Sequence, residues 1–250
     1  MKDNPKEFEA LDLDAHAFFF DFDGTLADIA LHPRDVFLTT ELRRSILSLS
    51  LRTGGAVAII TGRNRAEIHP HLGEELPVAG LHGVDFPADA EGSAANSDAE
   101  RRILAVRPLL PALAELVKAH PGALLEDKGQ GLALHWRGAP MAEAAMMVAA
   151  ERTLEQLGQE WSLQPGKCVA EIRPVGGDKG TALLRFMTQP PFEGRRPIAF
   201  GDDLNDLPMF EAARSLGGLA VALGERDLPA DIRLSGPAEL AEWLERRLDA

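Results

Sequence analysis

The chain of 250 residues carries one cysteine, few positive charges and no long apolar run. The lone Cys168 excludes an internal disulfide and fits a reducing compartment. No apolar stretch approaches the ~20 residues that span a bilayer, so no membrane partner is expected. The start, Met1 to Asp14, is too acidic and polar for a signal peptide, and a cytoplasmic location is expected. Lys and Arg number 26 against 39 Asp and Glu, a formal net charge of -13. No basic stripe can neutralise phosphates, which argues against nucleic acid. An anionic small-molecule substrate would need local positive charge from a metal and a few basic residues; screening confines the body's repulsion to roughly 8–10 Å. Repeats and low-complexity tracts are also absent, and the sequence leaves the oligomeric state open, a monomer included. What remains, 45% hydrophobic and 26% charged, is the composition of an ordinary globule with one large domain or two modest ones.

The pattern along the chain alternates strand and helix. Phe18 to Phe20 form an apolar strand after a loose lead-in, Met1 to Asp14, and a loop follows over Ile29 to Phe37. Leu42, Ile46 and Leu49 fall at helical spacing behind Thr39 or Thr40 as a cap, and Gly54-Gly55 ends that helix. Ala56 to Ile60 and Pro77 to Leu81 read as two more strands, with a short helix through Ile68 and Leu72 between them. This order predicts a parallel sheet with covered faces. Asp85 to Glu100 lacks periodicity and reads as a loop or hinge. A helix over Ile103 to Ala119 follows, with Ile103, Val106, Leu110 and Leu113 as its packing face. Then come strands at Ala123 to Asp127 and Gly131 to Trp136, a helix over Met141 to Leu157, and strands at Trp161 to Gln164 and Cys168 to Ile172. The turns between paired strands fall at Lys128 to Gly131 and Gln164 to Lys167. His135 and Trp136 read as packing, and Cys168 as a small apolar filler. After Gly176-Gly177 the alternation resumes with a helix at Lys179, the strand Pro197 to Phe200, a helix over Asn205 to Arg214, the strand Leu219 to Leu223 and a closing helix. The expected fold is α/β: a Rossmann-like parallel-sheet core over 15–85 and 174–250, with an inserted α+β cap domain (αββαββ) over 86–173 and a lead-in over 1–14.

Asp21 and Asp23 end the first strand, where open α/β sheets place their ligands. Two residues apart on extended chain, they share a face and repel, so a cation or a proton is needed. A solvated acidic turn is one reading. A calcium loop is another, set aside because Leu26 stands where its glycine belongs. A third is a phosphoryl-transfer site with Asp21 as nucleophile, Asp23 as general acid and base, and Mg²⁺. The rest of the chain favours the third. Thr61, Lys179 and Asp202/Asp203 also lie at strand ends or a helix start, and parallel neighbours would bring all four places to one rim. Hydroxyl, ammonium and carboxylates are the groups that stabilise a transferring phosphoryl and hold Mg²⁺.

In order and spacing, DFDGT (Asp21 to Thr25), ITGR (Ile60 to Arg63), the Lys179 of GGDKG and GDDLND (Gly201 to Asp206) resemble the four motifs of the haloacid dehalogenase superfamily of phosphatases. The resemblance implies Asp21 as nucleophile, Asp23 as acid/base, Thr61 as phosphate binder and Lys179 as charge stabiliser. It implies metal ligation by Asp21, Asp23 and Asp202, with Asp203 or Asp206 assisting. Glu126 to Gly129, Leu132 to Arg137 and Val169 to Pro174 resemble the cap segments of trehalose-6-phosphate phosphatases, and Gly80 to Gly83 that family's motif before the cap. On strands, Glu126 with Lys128, and Val169 with Glu171 and Arg173, share faces, and such groups can read sugar hydroxyls. Expected substrate contacts are therefore Glu126, Lys128 and Glu171, with Arg63 and His82 beside the phosphate loop. The expected activity is Mg²⁺-dependent hydrolysis of trehalose 6-phosphate through an aspartyl phosphate. Asn205-Asp206-Leu207 departs from that family's Thr then Asp-Glu. It keeps open a phosphatase of sucrose phosphate, a glycosyl 3-phosphoglycerate or a monosaccharide phosphate. A non-catalytic phospho-acceptor module that signals by binding is the alternative from another class.

Overall fold

The computed structural model describes residues 8, 10–29, 35–87 and 94–249. They fall into two compact units, Met1–Pro87 with Asp178–Ala250, and Ala88–Gly177. In chain order the elements are β1 (His16–Phe20), α1 (Thr40–Arg52), β2 (Val57–Ile60), α2 (Arg65–Leu72) and β3 (Val78–Ala79). The second unit holds α3 (Ala94–Val106), α4 (Leu110–Lys118), β4 (Leu124–Asp127), β5 (Leu132–His135), α5 (Glu143–Leu157), β6 (Trp161–Gly166) and β7 (Val169–Pro174). The first unit then resumes with α6 (Lys179–Phe186), β8 (Arg196–Gly201), α7 (Leu207–Ser215), β9 (Leu219–Leu223), β10 (Ile232–Leu234) and α8 (Pro237–Leu248).

The first unit is built on a six-stranded parallel sheet in the order β10-β9-β8-β1-β2-β3. β1 lies at its centre, and the chain's strand order reverses there. In such sheets the crevice beyond the carboxyl ends at the reversal is where ligands bind. Strand alternation explains the phenylalanine run. Phe18 and Phe20 enter one core with Leu42, Ile46 and Leu49 of α1 and Leu240, Trp243 and Leu244 of α8. Ala17 and Phe19 enter the other with Leu183 and Phe186 of α6 and Met209 and Phe210 of α7. A strand covered on both faces needs to be nearly all apolar; all five residues of β1 are buried, and its one polar residue, His16, bonds through Nδ1 to Asp12 O at 2.6 Å.

The described part of the lead-in is not loose. Phe8, Leu11 and Leu13 are buried, and the Phe8 ring stacks on Trp243 with centroids 4.4 Å apart. These apolar residues have no periodic neighbours to signal an element, and their partner lies at the far end of the chain. Residues 30–34 of the expected Ile29 to Phe37 loop lie outside the described residues.

The second unit is a four-stranded antiparallel sheet, β4-β5-β7-β6. Leu132, Leu134, Ala170 and Ile172 face Met146 and Ala150 of α5 together with Val106 and Leu113. The opposite face carries Glu126, Ala133, His135, Gln164 and Glu171, as the register requires. Three expectations need correction here. The helix expected from Ile103 is two helices, broken around Pro108, which lacks a donor and disfavours helix at Arg107. Ile103 is consequently 41% exposed rather than packed. Helix begins at Ala94, within the segment expected as loop up to Glu100; residues 88–93 of that segment lie outside the described residues. The β6–β7 hairpin turns at Lys167-Cys168 rather than at Gln164 to Lys167, because Gly166 still pairs with Val169. Cys168 therefore sits in the turn, with φ +63°, half-buried. Among the described residues no helix is long and apolar enough to cross a membrane.

Candidate active site at the centre of the parallel sheet

Asp21 follows the last residue of β1, and its N–H donates to Phe200 O of β8 at 2.9 Å. That bond places Asp21 beside the carboxyl end of β8, where Gly201, Asp202 and Asp203 emerge. The site occupies the crevice expected from the strand order.

Three carboxylates converge. Asp21, Asp202 and Asp206 each present an oxygen within 4.8 Å of the others. Gly24, at φ +78°, makes this possible. A Cβ there would lie 2.1 Å from Asp202 Oδ2, so a side chain would fill the space that the carboxylate uses. Lys179, the first residue of α6, donates from Nζ to Asp21 Oδ1 at 2.7 Å and to Asp206 Oδ1 at 2.6 Å. Asp178 caps that helix by accepting from Thr181 N–H at 2.7 Å, which fixes where Lys179 leaves the backbone. Asp206 is fully buried, and its Oδ2 accepts from the N–H groups of Asp202 and Asp203 at 2.9 and 3.0 Å. It thereby braces the loop that aims Asp202.

The charges do not balance. One ammonium faces three carboxylates, and almost no water reaches Asp21, Lys179 or Asp206. Burial raises the Asp21 carboxyl well above the ordinary range although Lys179 pulls it down. Burial and the neighbouring Asp206 raise Asp202 to about 7. The Asp206 and Asp21 charges hold Lys179 protonated against its own burial. A hard, oxygen-seeking divalent cation is the species this donor set suits, since carboxylate oxygens and the cradle left by Gly24 fit its chemistry and its charge.

The other expected residues lie around this group. Asp23 does not join the three acids. Its two oxygens accept from Arg63 Nε and Nη2, both at 2.7 Å, a bidentate clamp. Arg63 is buried, stands 5.7 Å from the Phe22 ring centroid and also meets Glu67 at 3.4 Å. Asp203 turns outward, accepts from Leu204 N–H and pairs with Arg226 at 3.1 Å. Thr61 is buried at the end of β2, its hydroxyl accepting from Arg63 N–H at 3.1 Å. His82 is buried in the left-handed region at φ +57°, next to Leu81 at φ +50°. Its N–H donates to Thr61 O at 2.8 Å, and its ring leaves no room for a side chain on Gly62, whose Cβ would lie 2.8 Å from ring Cε1.

In the second unit Lys128 Nζ donates to Glu171 at 2.9 Å, and His135 Nε2 donates to Glu126 at 2.7 Å. Burial pushes Glu126 up, but the His135 bond and the Lys128 charge outweigh it and hold it below the ordinary range. His135 is thus a polar partner on the open sheet face rather than packing. Sequence reasoning missed both His135 and Arg226. The first was discoverable from strand alternation, which puts residues 133 and 135 on one face; the second carries no local signal.

Comparison with known proteins agrees with this architecture. The trehalose-phosphatase family matches residues 19–227. The chain is 38% identical over 237 residues to the trehalose-6-phosphate phosphatase of Escherichia coli K12, covering 92% of this chain and 85% of that protein. It is 39% identical over 218 residues to a probable trehalose-phosphate phosphatase of Sinorhizobium fredii, covering 85% and 79%. In structure it resembles a trehalose-6-phosphate phosphatase related protein with TM-score 0.79 at 22% identity, covering 93% of this chain and 97% of the other. A phosphatase of the haloalkanoate superfamily from Bacteroides thetaiotaomicron shares the fold at TM-score 0.55 and 19% identity, covering 94% and 96%. With its sheet order, its buried lysine and acids, and this agreement along most of its length, the chain belongs to the trehalose-phosphatase family.

Proposed function

We propose that the protein hydrolyses trehalose 6-phosphate to trehalose and inorganic phosphate through a phosphoryl-Asp21 intermediate, with Mg²⁺ bound by Asp21, Asp202 and Asp206. The observation that carries this reading is the buried Lys179 ammonium bridging Asp21 and Asp206 beside Asp202. The names of relatives at 38–39% identity support the substrate. The single cysteine supports a cytoplasmic enzyme.

In the first step an Asp21 oxygen attacks phosphorus and the bond to the sugar oxygen breaks, that oxygen taking a proton from Asp23. In the second, water attacks the phosphoryl group, Asp23 takes its proton, and Asp21 is released. Splitting the reaction turns one slow displacement into two easier ones. Bound Mg²⁺ would neutralise the phosphoryl oxygens and the excess carboxylate charge. Lys179 and the Thr61 hydroxyl give fixed charge and a hydrogen bond to the same oxygens. Asp23 cannot deliver a proton while both of its oxygens are clamped by Arg63, so turnover requires it to turn away from that guanidinium. Arg63 and His82 then shape the phosphate loop. Glu126, Lys128 and Glu171 read the sugar, and the second unit acts as the specificity domain.

A phosphate-release panel tests this reading. With Mg²⁺, trehalose 6-phosphate should be preferred to sucrose 6-phosphate, a glycosyl 3-phosphoglycerate and glucose 6-phosphate. Comparable rates on all four would make the enzyme a generalist. No release from any ester, with beryllium fluoride still trapped, would indicate a phospho-acceptor module.

A further inference from the structure

On the polar face of the antiparallel sheet one row of residues runs straight across the strands. Glu126 of β4 is opposite Ala133 of β5, which is opposite Glu171 of β7, which is opposite Gln164 of β6. Strand spacing sets Glu126 and Glu171 roughly 10 Å apart, with only a methyl group between them. A pyranose ring set there could offer hydroxyl pairs to both carboxylates. Long acidic side chains on an open face are ordinarily free to rotate, and a mobile carboxylate loses entropy whenever it grips a ligand.

Glu126 is not mobile. His135, diagonally across from it, donates Nε2–H to Glu126 Oε2 at 2.7 Å, and both side chains are about three-quarters buried, 24% and 21% exposed. Oε1 of Glu126 makes no hydrogen bond among the described residues. The bond therefore fixes the carboxylate while leaving one oxygen to accept from a ligand. Lys128 Nζ donates to Glu171 Oε1 at 2.9 Å and so holds the second carboxylate of the row. The charged and titratable groups that act on Glu126 are His135, Lys128 and Glu171, and the partners of His135 across the two neighbouring strands, Leu124 and Val169, are apolar.

We propose that His135 is a positioning residue for the sugar half of the substrate, orienting Glu126 so that its free oxygen meets a hydroxyl of the leaving disaccharide. The inference rests on the reading of Glu126 as a sugar contact. It makes no demand on the phosphoryl chemistry, which is carried by the other unit.

Steady-state kinetics on trehalose 6-phosphate and on p-nitrophenyl phosphate, which has no sugar, separate the roles. For His135→Ala the KM for trehalose 6-phosphate should rise about tenfold, equivalent to about 1.4 kcal/mol. kcat/KM for the aryl phosphate should stay within about twofold. His135→Gln, whose amide can still donate to Glu126, should recover most of the loss. The double variant with Glu126→Ala should be no worse than Glu126→Ala alone, since one interaction is removed in each case. Should His135→Ala fail to fold, His135→Phe fills the volume without the donor and is held to the same result. Equal losses on both substrates, no rescue by Gln, or multiplying losses in the double variant would overturn the inference. Wild-type protein inert on trehalose 6-phosphate would overturn the proposed function and this inference with it; active wild type with an unaffected His135→Ala would overturn the inference alone.

Discussion

Replacing Lys179 by Met tests the electrostatics of the site, because it keeps most of the side-chain volume and removes the charge. The ammonium is 1% exposed and sits 2.7 and 2.6 Å from two carboxylates that are 6% and 0% exposed. Without it, three acids with oxygens within 4.8 Å of one another have no cation among the side chains between them. Removing one partner of a buried ion pair costs about 3–5 kcal/mol, since the surviving charge is buried and unpaired. At roughly 2–4 °C per kcal/mol for a chain of this size, the melting temperature of the chelator-treated protein should fall by about 10 °C at neutral pH. Excess Mg²⁺ should recover part of the loss, and so should mildly acidic buffer, in which the acids take up protons. Calorimetry of wild type and Lys179→Met, with chelator and with Mg²⁺, reads all of these. Turnover should fall by about 10²–10³ or more, the loss typical of one preorganised charge or donor. A variant that melts with the wild type in chelator at neutral pH would refute the reasoning, because the buried acids would then not need the lysine.

Four further outcomes are expected. Asp21→Asn should abolish phosphate release while leaving the fold intact, checked by activity and circular dichroism; wild-type turnover in that variant would remove Asp21 as nucleophile. EDTA should silence the enzyme and Mg²⁺ restore it, as a phosphate-release assay would show. Metal-free protein should lose stability as pH rises. The Asp202 carboxyl goes from 3.8 to about 7 on folding, so its contribution is present below about pH 4 and lost by about pH 7. That is of the order of 4 kcal/mol, read from denaturant titrations across the range; a metal-free stability that instead climbs over this window would contradict it. Phe8→Ala should cost about 3–5 kcal/mol by opening the stack on Trp243, measured by urea unfolding.

How far the sequence could be read depends on where each signal resides. β1 was legible because a doubly covered strand must be nearly all apolar and then stop, and Asp21 marks the stop. Lys179 and Asp202 were legible because parallel strands deliver their ends to one rim. The short β10, Ile232–Leu234, passed unnoticed, since three residues carry no periodicity. The break at Pro108 was written in the sequence and was overridden by a helical spacing that continued on both sides. Asp21, Asp202 and Asp206, which converge, were all among the expected metal ligands; that Asp23 and Asp203 stand apart from them was not legible. Asp21 and Asp23 share a strand-end pattern, yet Arg63 takes Asp23 and Arg226 takes Asp203. Those choices are made by guanidinium groups distant in sequence, which no local spacing reveals.

The most direct measurement is a rapid acid quench of the wild-type enzyme turning over trehalose 6-phosphate with Mg²⁺, followed by peptide mass spectrometry. The account predicts one added phosphoryl group on the peptide that contains Asp21, absent in Asp21→Asn. Rapid phosphate release with that peptide never modified would contradict it.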